Sequence, residues 1–269
     1  MSQDHQIQHP VQTQAEVQRL SYTLDAGFGE RARIGLVVLQ TDQTLETEFR
    51  DLTHLPGVSC YHTRIPNEAT TNEDTLTAMA ADLPSAAALL PQDMNLTALG
   101  YGCTSAATLI GAAQVAGMLN QAHPNIPTSE PLSAAIAALK TMGVQRLGLL
   151  TPYVPEVTVA MQQAFIQAGI EVRLVGSFCE GDDLRVGKID QASVLSAVQA
   201  IGSRDDIDGV FISCTSVRAV ALIAAAEATL GKPVTSSNHA LAWHLLRLAG
   251  IQDTRSDKGR LFTLPLLQA

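Results

Sequence analysis

Two cysteines stand in the same short context: Gly102-Cys103-Thr104-Ser105 and Ser213-Cys214-Thr215-Ser216 each follow an apolar run and precede an Ala-rich stretch. A thiol placed where a strand hands over to a helix meets the free N–H groups and dipole of the first helical turn. Both favour the thiolate and lower the thiol's pKa. Such a thiol acts near neutral pH as base or nucleophile, and two of them facing each other across a planar carbon suit proton removal on one side and delivery on the other. The Thr-Ser that follows each cysteine is expected to cap its helix. Cys60 lies inside a β-type run and Cys179 ends one without the repeated context, so core or incidental positions are expected for both.

The elements that must carry these thiols are legible as an alternation of short strand-like runs and longer Ala/Leu-rich helical stretches. The strand runs are 33–39, 58–65, 96–102, 146–152, 170–178 and 208–213, and helical character fills the intervals, clearest at 104–122, 130–143, 157–169 and 217–231. Superposing the two halves reveals a shared order. Ile34-Gly35-Leu36 opens one strand and Leu147-Gly148-Leu149 another; Gly35 to Cys103 spans 68 residues, Gly148 to Cys214 spans 66. The pattern predicts an α/β fold of two pseudo-symmetric lobes, each with a parallel sheet flanked by helices. Residues 1–18, Gln-rich and without an apolar run, are expected as a flexible tail, 19–125 as the first lobe and 126–239 as the second. The segment 240–269 is expected to pack back on the first lobe.

Composition narrows the function. A formal net charge of −9 with no Lys/Arg cluster argues against nucleic acid, whose binding needs basic side chains to displace counterions. No stretch is apolar over bilayer length and the start lacks a secretory pattern, so no membrane partner and a cytoplasmic location are expected. Four cysteines without a CxxC pair fit neither a disulfide scaffold nor a zinc site. His239 and His244, five apart in a helical stretch with Trp243, do not stack on one face as a metal pair would.

The motifs resemble the aspartate/glutamate racemase superfamily, and more closely its branch of maleate cis–trans isomerases and arylmalonate decarboxylases. The likeness rests on both cysteine motifs, Thr151-Pro152-Tyr153 and Pro233-Val234-Thr235-Ser236-Ser237-Asn238. Within the branch, VLQTDQTLETEF, YGCTSAATLIG, LLTPYVPEV, FISCTSVRA and GKPVTSSNHALAWHLLRLAG are similar to an isomerase-like subgroup tied to ectoine utilisation. The resemblance implies an active site between two lobes, a homodimer, and no metal, flavin, nicotinamide or pyridoxal cofactor. It further implies Cys103 as base or nucleophile and Cys214 as the opposing acid, in a racemase or cis–trans isomerase without cofactor. Substrate carboxylates would be held by Thr104, Ser105, Tyr153, Thr215 and Ser216, with Asn238 near them. A decarboxylase or lyase using one thiol, or a binding protein with inert thiols, are the rival readings.

The sequence departs from the branch in one respect. Where maleate isomerases carry asparagines that grip the carboxylates, this chain has Asp42 and, by position in EGDDLRVG, Asp183. An ionised Asp accepts hydrogen bonds and donates none, so a dianion such as maleate fits poorly and a small amino-acid-like or amidine-bearing carboxylate fits better. Ectoine and hydroxyectoine have that character. Equally, Asp42 can serve simply to cap a helix beginning in TLETEF.

Overall fold

The run from residue 33 folds as a buried strand because both its faces are apolar, the mark of a parallel sheet covered on both sides. The computed structural model of the protein describes residues 15, 17–68 and 79–267, so most of the expected tail lies outside the described residues. In the first half, β1 (Ala32–Leu39) leads to α1 (Leu45–Thr53), β2 (Val58–Ile65), α2 (Leu83–Ala87) and β3 (Ala98–Gly102). Then come α3 (Thr104–Ile110), α4 (Ala112–Ala122), β4 (Thr128–Ser129) and α5 (Pro131–Thr141). The second half runs β5 (Arg146–Thr151), α6 (Pro155–Gln167), β6 (Glu171–Ser177), α7 (Asp183–Val186), α8 (Gln191–Gly202), β7 (Gly209–Ile212), α9 (Val220–Leu230), β8 (Val234–Ser236) and α10 (Ser237–Leu248).

Each half forms a four-stranded parallel sheet, ordered β2-β1-β3-β4 in one and β6-β5-β7-β8 in the other, so the two halves share one topology. This is the expected α/β architecture of two alike sheets. In an open parallel sheet of this order ligands gather beyond the carboxyl ends of the central strands, here β1 and β3 in one half and β5 and β7 in the other. The last helix, α10, follows the second sheet yet lies against β3, α1 and α5 of the first half. Its Leu245 presses on Gly100, where an added Cβ would come within 2.7 Å of Cδ1.

The paired glycines have a packing reason. The strands are closely covered at both glycines: a Cβ at Gly35 would lie 2.9 Å from Leu90 and Leu96, in the segment after α2, and from Leu99 of β3, and one at Gly148 would lie 2.3 Å from Ile201 Cγ2 on α8. We expect Gly148→Ala to destabilise the fold by about 1–3 kcal/mol, because α8 must shift to admit the methyl group. Thermal and urea denaturation of the variant measure this.

One expected element is split. The helical stretch 104–122 breaks into α3 and α4 at Gly111, which takes φ +91°, a conformation that glycine adopts without the steric cost of a Cβ. Periodicity alone cannot see such a break, since both pieces keep an Ala-rich apolar face.

Candidate active site

Leu39, Cys103, Tyr153 and Cys214, at or just past the carboxyl ends of β1, β3, β5 and β7, line one cavity together with Asn67, Glu68, Met79, Thr104, Ser105, Asp183 and Thr215. Its volume is about 20 Å3. That is room for about one water molecule, so an amino-acid-sized ligand requires the walls to part.

The two thiols are presented differently. Cys103 is the extended residue just before α3, and its sulfur lies 3.7 Å from Ser105 Oγ, with the Ala106 N–H nearby favouring the thiolate. Cys214 instead sits in a turn with φ +89°, and α9 begins only at Val220; the Ser216 N–H near its sulfur favours the thiolate. An L-residue in that region costs about 1–3 kcal/mol unless its surroundings hold it there. The expectation that both cysteines open helices therefore fails for Cys214, and neither Thr-Ser pair supplies a side-chain cap. The asymmetry begins one residue earlier. Gly102 leaves room for Leu45, whose Cδ2 would be 2.3 Å from an added Cβ, whereas its counterpart Ser213 donates to Met161 Sδ at 3.0 Å and to the Tyr153 hydroxyl at 3.4 Å.

The electrostatics also reverse the expectation of lowered thiol pKa values. Burial, chiefly, pushes Cys103 up to about 11 against the N–H and hydroxyl donors around it, and the Asp183 charge acts in the same direction. Cys214 is also raised, by burial first and Asp183 second. The first-turn N–H groups are real, but desolvating a thiolate in this cavity outweighs them. Each sulfur also has a phenol near it, Tyr101 for Cys103 and Tyr153 for Cys214, and burial keeps both buried tyrosines neutral. In the unliganded protein, alkylation of both thiols at pH 7 is therefore expected to be slow. For Cys103 it should rise as pH climbs toward 11, because only the thiolate reacts. Mass spectrometry after timed iodoacetamide exposure measures this.

Asp183 bridges the halves. It accepts from Thr41 Oγ1 at 2.5 Å and from Ser216 Oγ at 2.7 Å, and Asn67 Nδ2 donates to the same Thr41 hydroxyl at 2.9 Å. Asp182, its neighbour, is spent capping α7. Asp42, Ser216 and Asn238 do not line the cavity. Asp42 Oδ1 accepts from the Thr44 and Leu45 N–H groups at 2.7 and 2.8 Å, the capping role, while Oδ2 is buried with no partner among the described residues. Asn238 Nδ2 donates to Glu48 Oε2 and to the Thr215 carbonyl, both at 2.8 Å. Cys60 donates to Thr53 from the side of β2, and Cys179 is exposed rather than core. His239 and His244 bond to Thr235, the Lys258 carbonyl and Ser129. Among the described residues no group of three or more His, Cys, Asp or Glu is placed to hold a metal ion, and no helix is long and apolar enough to cross a membrane.

Residues 110–262, more than half of the chain, match the family model described as arylmalonate decarboxylase. The chain belongs to the arylmalonate decarboxylase family. A maleate isomerase of Alcaligenes faecalis is 24% identical over 250 residues, 86% of this chain and 96% of that one. The maleate isomerase structure from Pseudomonas putida S16 with maleate superposes with a TM-score of 0.79 at 22% identity, over 88% of this chain and 99% of that one. A cysteine-to-serine variant of the Nocardia farcinica maleate cis-trans isomerase, with a covalently bound succinylcysteine intermediate, gives 0.77 at 25% identity over 86% and 98%.

For this member of the arylmalonate decarboxylase family, sequence reasoning missed Thr41, Asn67, Glu68 and Tyr101. Thr41 lies two residues past the end of the first strand run, one beyond Gln40, so strand-end logic applied to the first half reaches it. Tyr101 lies within β3, before the strand end, and offers no such signal.

Proposed function

We propose that this protein is a cofactor-independent isomerase, a racemase or cis–trans isomerase, that works on a small carboxylate with Cys103 and Cys214 on opposite faces of the reacting carbon. The observation that carries the reading is that both thiols line one cavity. Cys103, set before α3, acts as base or nucleophile, and Cys214 returns the proton from the far side. The N–H groups and hydroxyls of Thr104, Ser105 and Thr215, with Tyr153, hold the carboxylate and the charge that develops beside it.

The lining also selects the substrate. Asp183 and Glu68 face the cavity, and no lysine or arginine lines it among the described residues. A dicarboxylate brings two more negative charges and raises both thiols further; a substrate carrying an ammonium or amidinium beside Asp183 offsets that charge and eases Cys103 toward its thiolate. Ectoine, hydroxyectoine and the diamino acids derived from them have this combination, and the similarity of five segments to the ectoine-utilisation subgroup supports the same class.

The family model itself favours decarboxylation as the second reading, with one thiol as proton donor. Incubating ectoine-derived diamino acids, aspartate, maleate and an arylmalonate with the protein in D2O separates the two. Inversion with deuterium at the carbon next to the carboxylate is the racemase result, and alkene isomerisation without exchange is the covalent one. Carbon dioxide release would replace the proposal with the decarboxylase, and no conversion of any of them, with binding alone, would end the catalytic reading.

A further inference from the structure

The turn that carries Cys214 is held from outside the cavity by a carboxylate on the opposite half. Glu48 reaches from α1 to the far side of that turn: Oε1 accepts the backbone N–H groups of Ala219 and Val220 at 2.8 and 2.9 Å, where α9 begins. Oε2 accepts from Asn238 Nδ2 on α10, and the same Nδ2 donates to the Thr215 carbonyl, the residue next to Cys214. One carboxylate and one amide thus tie both ends of the segment 215–220 to helices of the first half and the last helix. Because two acceptors face Nδ2, the amide cannot turn over without setting its oxygen against the Thr215 carbonyl; its own Oδ1 is buried and unpartnered among the described residues.

We propose that Glu48 and Asn238 are positioning residues for Cys214, a brace that holds the left-handed turn presenting this thiol to the cavity. The brace works only with Glu48 ionised. A protonated Glu48 must place a hydrogen on one oxygen, and both oxygens already face N–H donors, so protonation removes an acceptor from either the α9 N–H pair or the amide. The resulting clash releases the segment at its weakest point, the conformation that costs Cys214 most. Burial, opposed by its three donors, raises the Glu48 carboxyl to about 7, with the Asp42 charge adding to the rise. The brace is therefore complete above about pH 7 and loosens below it. Other charges around Glu48 do not displace this ionisation. Asp51 on α1 is paired with Lys258. Arg218, which shares the groove beside Glu48, donates to the Ile189 carbonyl. On α10, His239, His244 and Arg247 bond to Lys258, Ser129 and carbonyls of residues 251–264.

The inference rests on Cys214 being a working thiol, but its test needs no substrate and so fails independently of the proposed reaction. Iodoacetamide labelling of the full-length protein is followed by mass spectrometry at Cys214, with Cys103 as the internal reference, from pH 6 to 8. Loss of charge-assisted hydrogen bonds in Glu48→Gln is expected to raise the Cys214-to-Cys103 labelling ratio about tenfold or more at pH 8. In the wild type the ratio rises as pH falls through 7, and in Glu48→Gln it is flat. Asn238→Ala, which keeps the Glu48 bonds to α9, raises the ratio at pH 8 as well. A ratio unchanged in both variants overturns the proposal, and so does equal acceleration at Cys103 and Cys214, which is general loosening of the fold.

Discussion

Cys103→Ser and Cys214→Ser, made singly, are each expected to lower turnover by about a hundred- to ten-thousand-fold, the range that a positioned proton-transfer group contributes. The two losses arise differently. At Cys103 the buried thiol must first ionise, and a hydroxyl in the same desolvated place is far harder to deprotonate. At Cys214 the thiol must arrive protonated, which burial guarantees, and serine keeps a donor but a much weaker acid. Cys214→Ser should therefore retain deuterium exchange initiated from the Cys103 face while losing inversion, whereas Cys103→Ser loses removal of the proton from that face. Polarimetry and proton NMR in D2O measure the two quantities separately. Cys60→Ser, on β2 and outside the cavity, is the control expected to retain activity. Full turnover in either active-site variant would refute the two-thiol mechanism.

Asp183→Asn is expected to cost a cationic substrate about thirty- to a thousand-fold in kcat/KM, the effect of truncating one partner of a buried charge pair. The size follows from placement. Asp183 lines a cavity without a basic side chain among the described residues, and each of its oxygens is aimed by a hydroxyl, one from Thr41 and one from Ser216. Asparagine keeps the shape, supplies a donor and removes the charge. The same variant should bind maleate or another dicarboxylate more tightly than the parent, and both thiols should ionise more readily, since Asp183 raises each. Calorimetric titration with maleate and the alkylation profile at Cys103 give the two readings. Unchanged preference between cationic and dianionic substrates would show that the carboxylate does not select the substrate.

Much of the architecture was open to reading because its causes are local. Apolar runs on both faces require a covered parallel sheet, the Gly35 and Gly148 positions leave room for apolar side chains pressed close on the strand, and a repeated order of elements at nearly equal spacing requires two alike halves. The place of both cysteines beyond strand ends follows from the same patterns. Thr41 was within reach of this logic, and Tyr101 was not, because nothing in a strand's sequence says which neighbour its hydroxyl will meet.

What the chain by itself determined, then, was the fold and the two thiols at the strand ends, since hydrophobic pattern and strand-end position are set by neighbours in sequence. The tertiary structure decided the state of those thiols and the company they keep. Their pKa values depend on how much water the assembled cavity excludes, a quantity that no local motif contains. Asp183 meets Thr41 across 142 positions and Glu48 meets Val220 across 172, so both contacts exist only when the two halves close. The left-handed turn at Cys214 belongs with them, because the groups that hold its segment come from distant parts of the chain, Glu48 on α1, Asn238 on α10 and Asp183 among them.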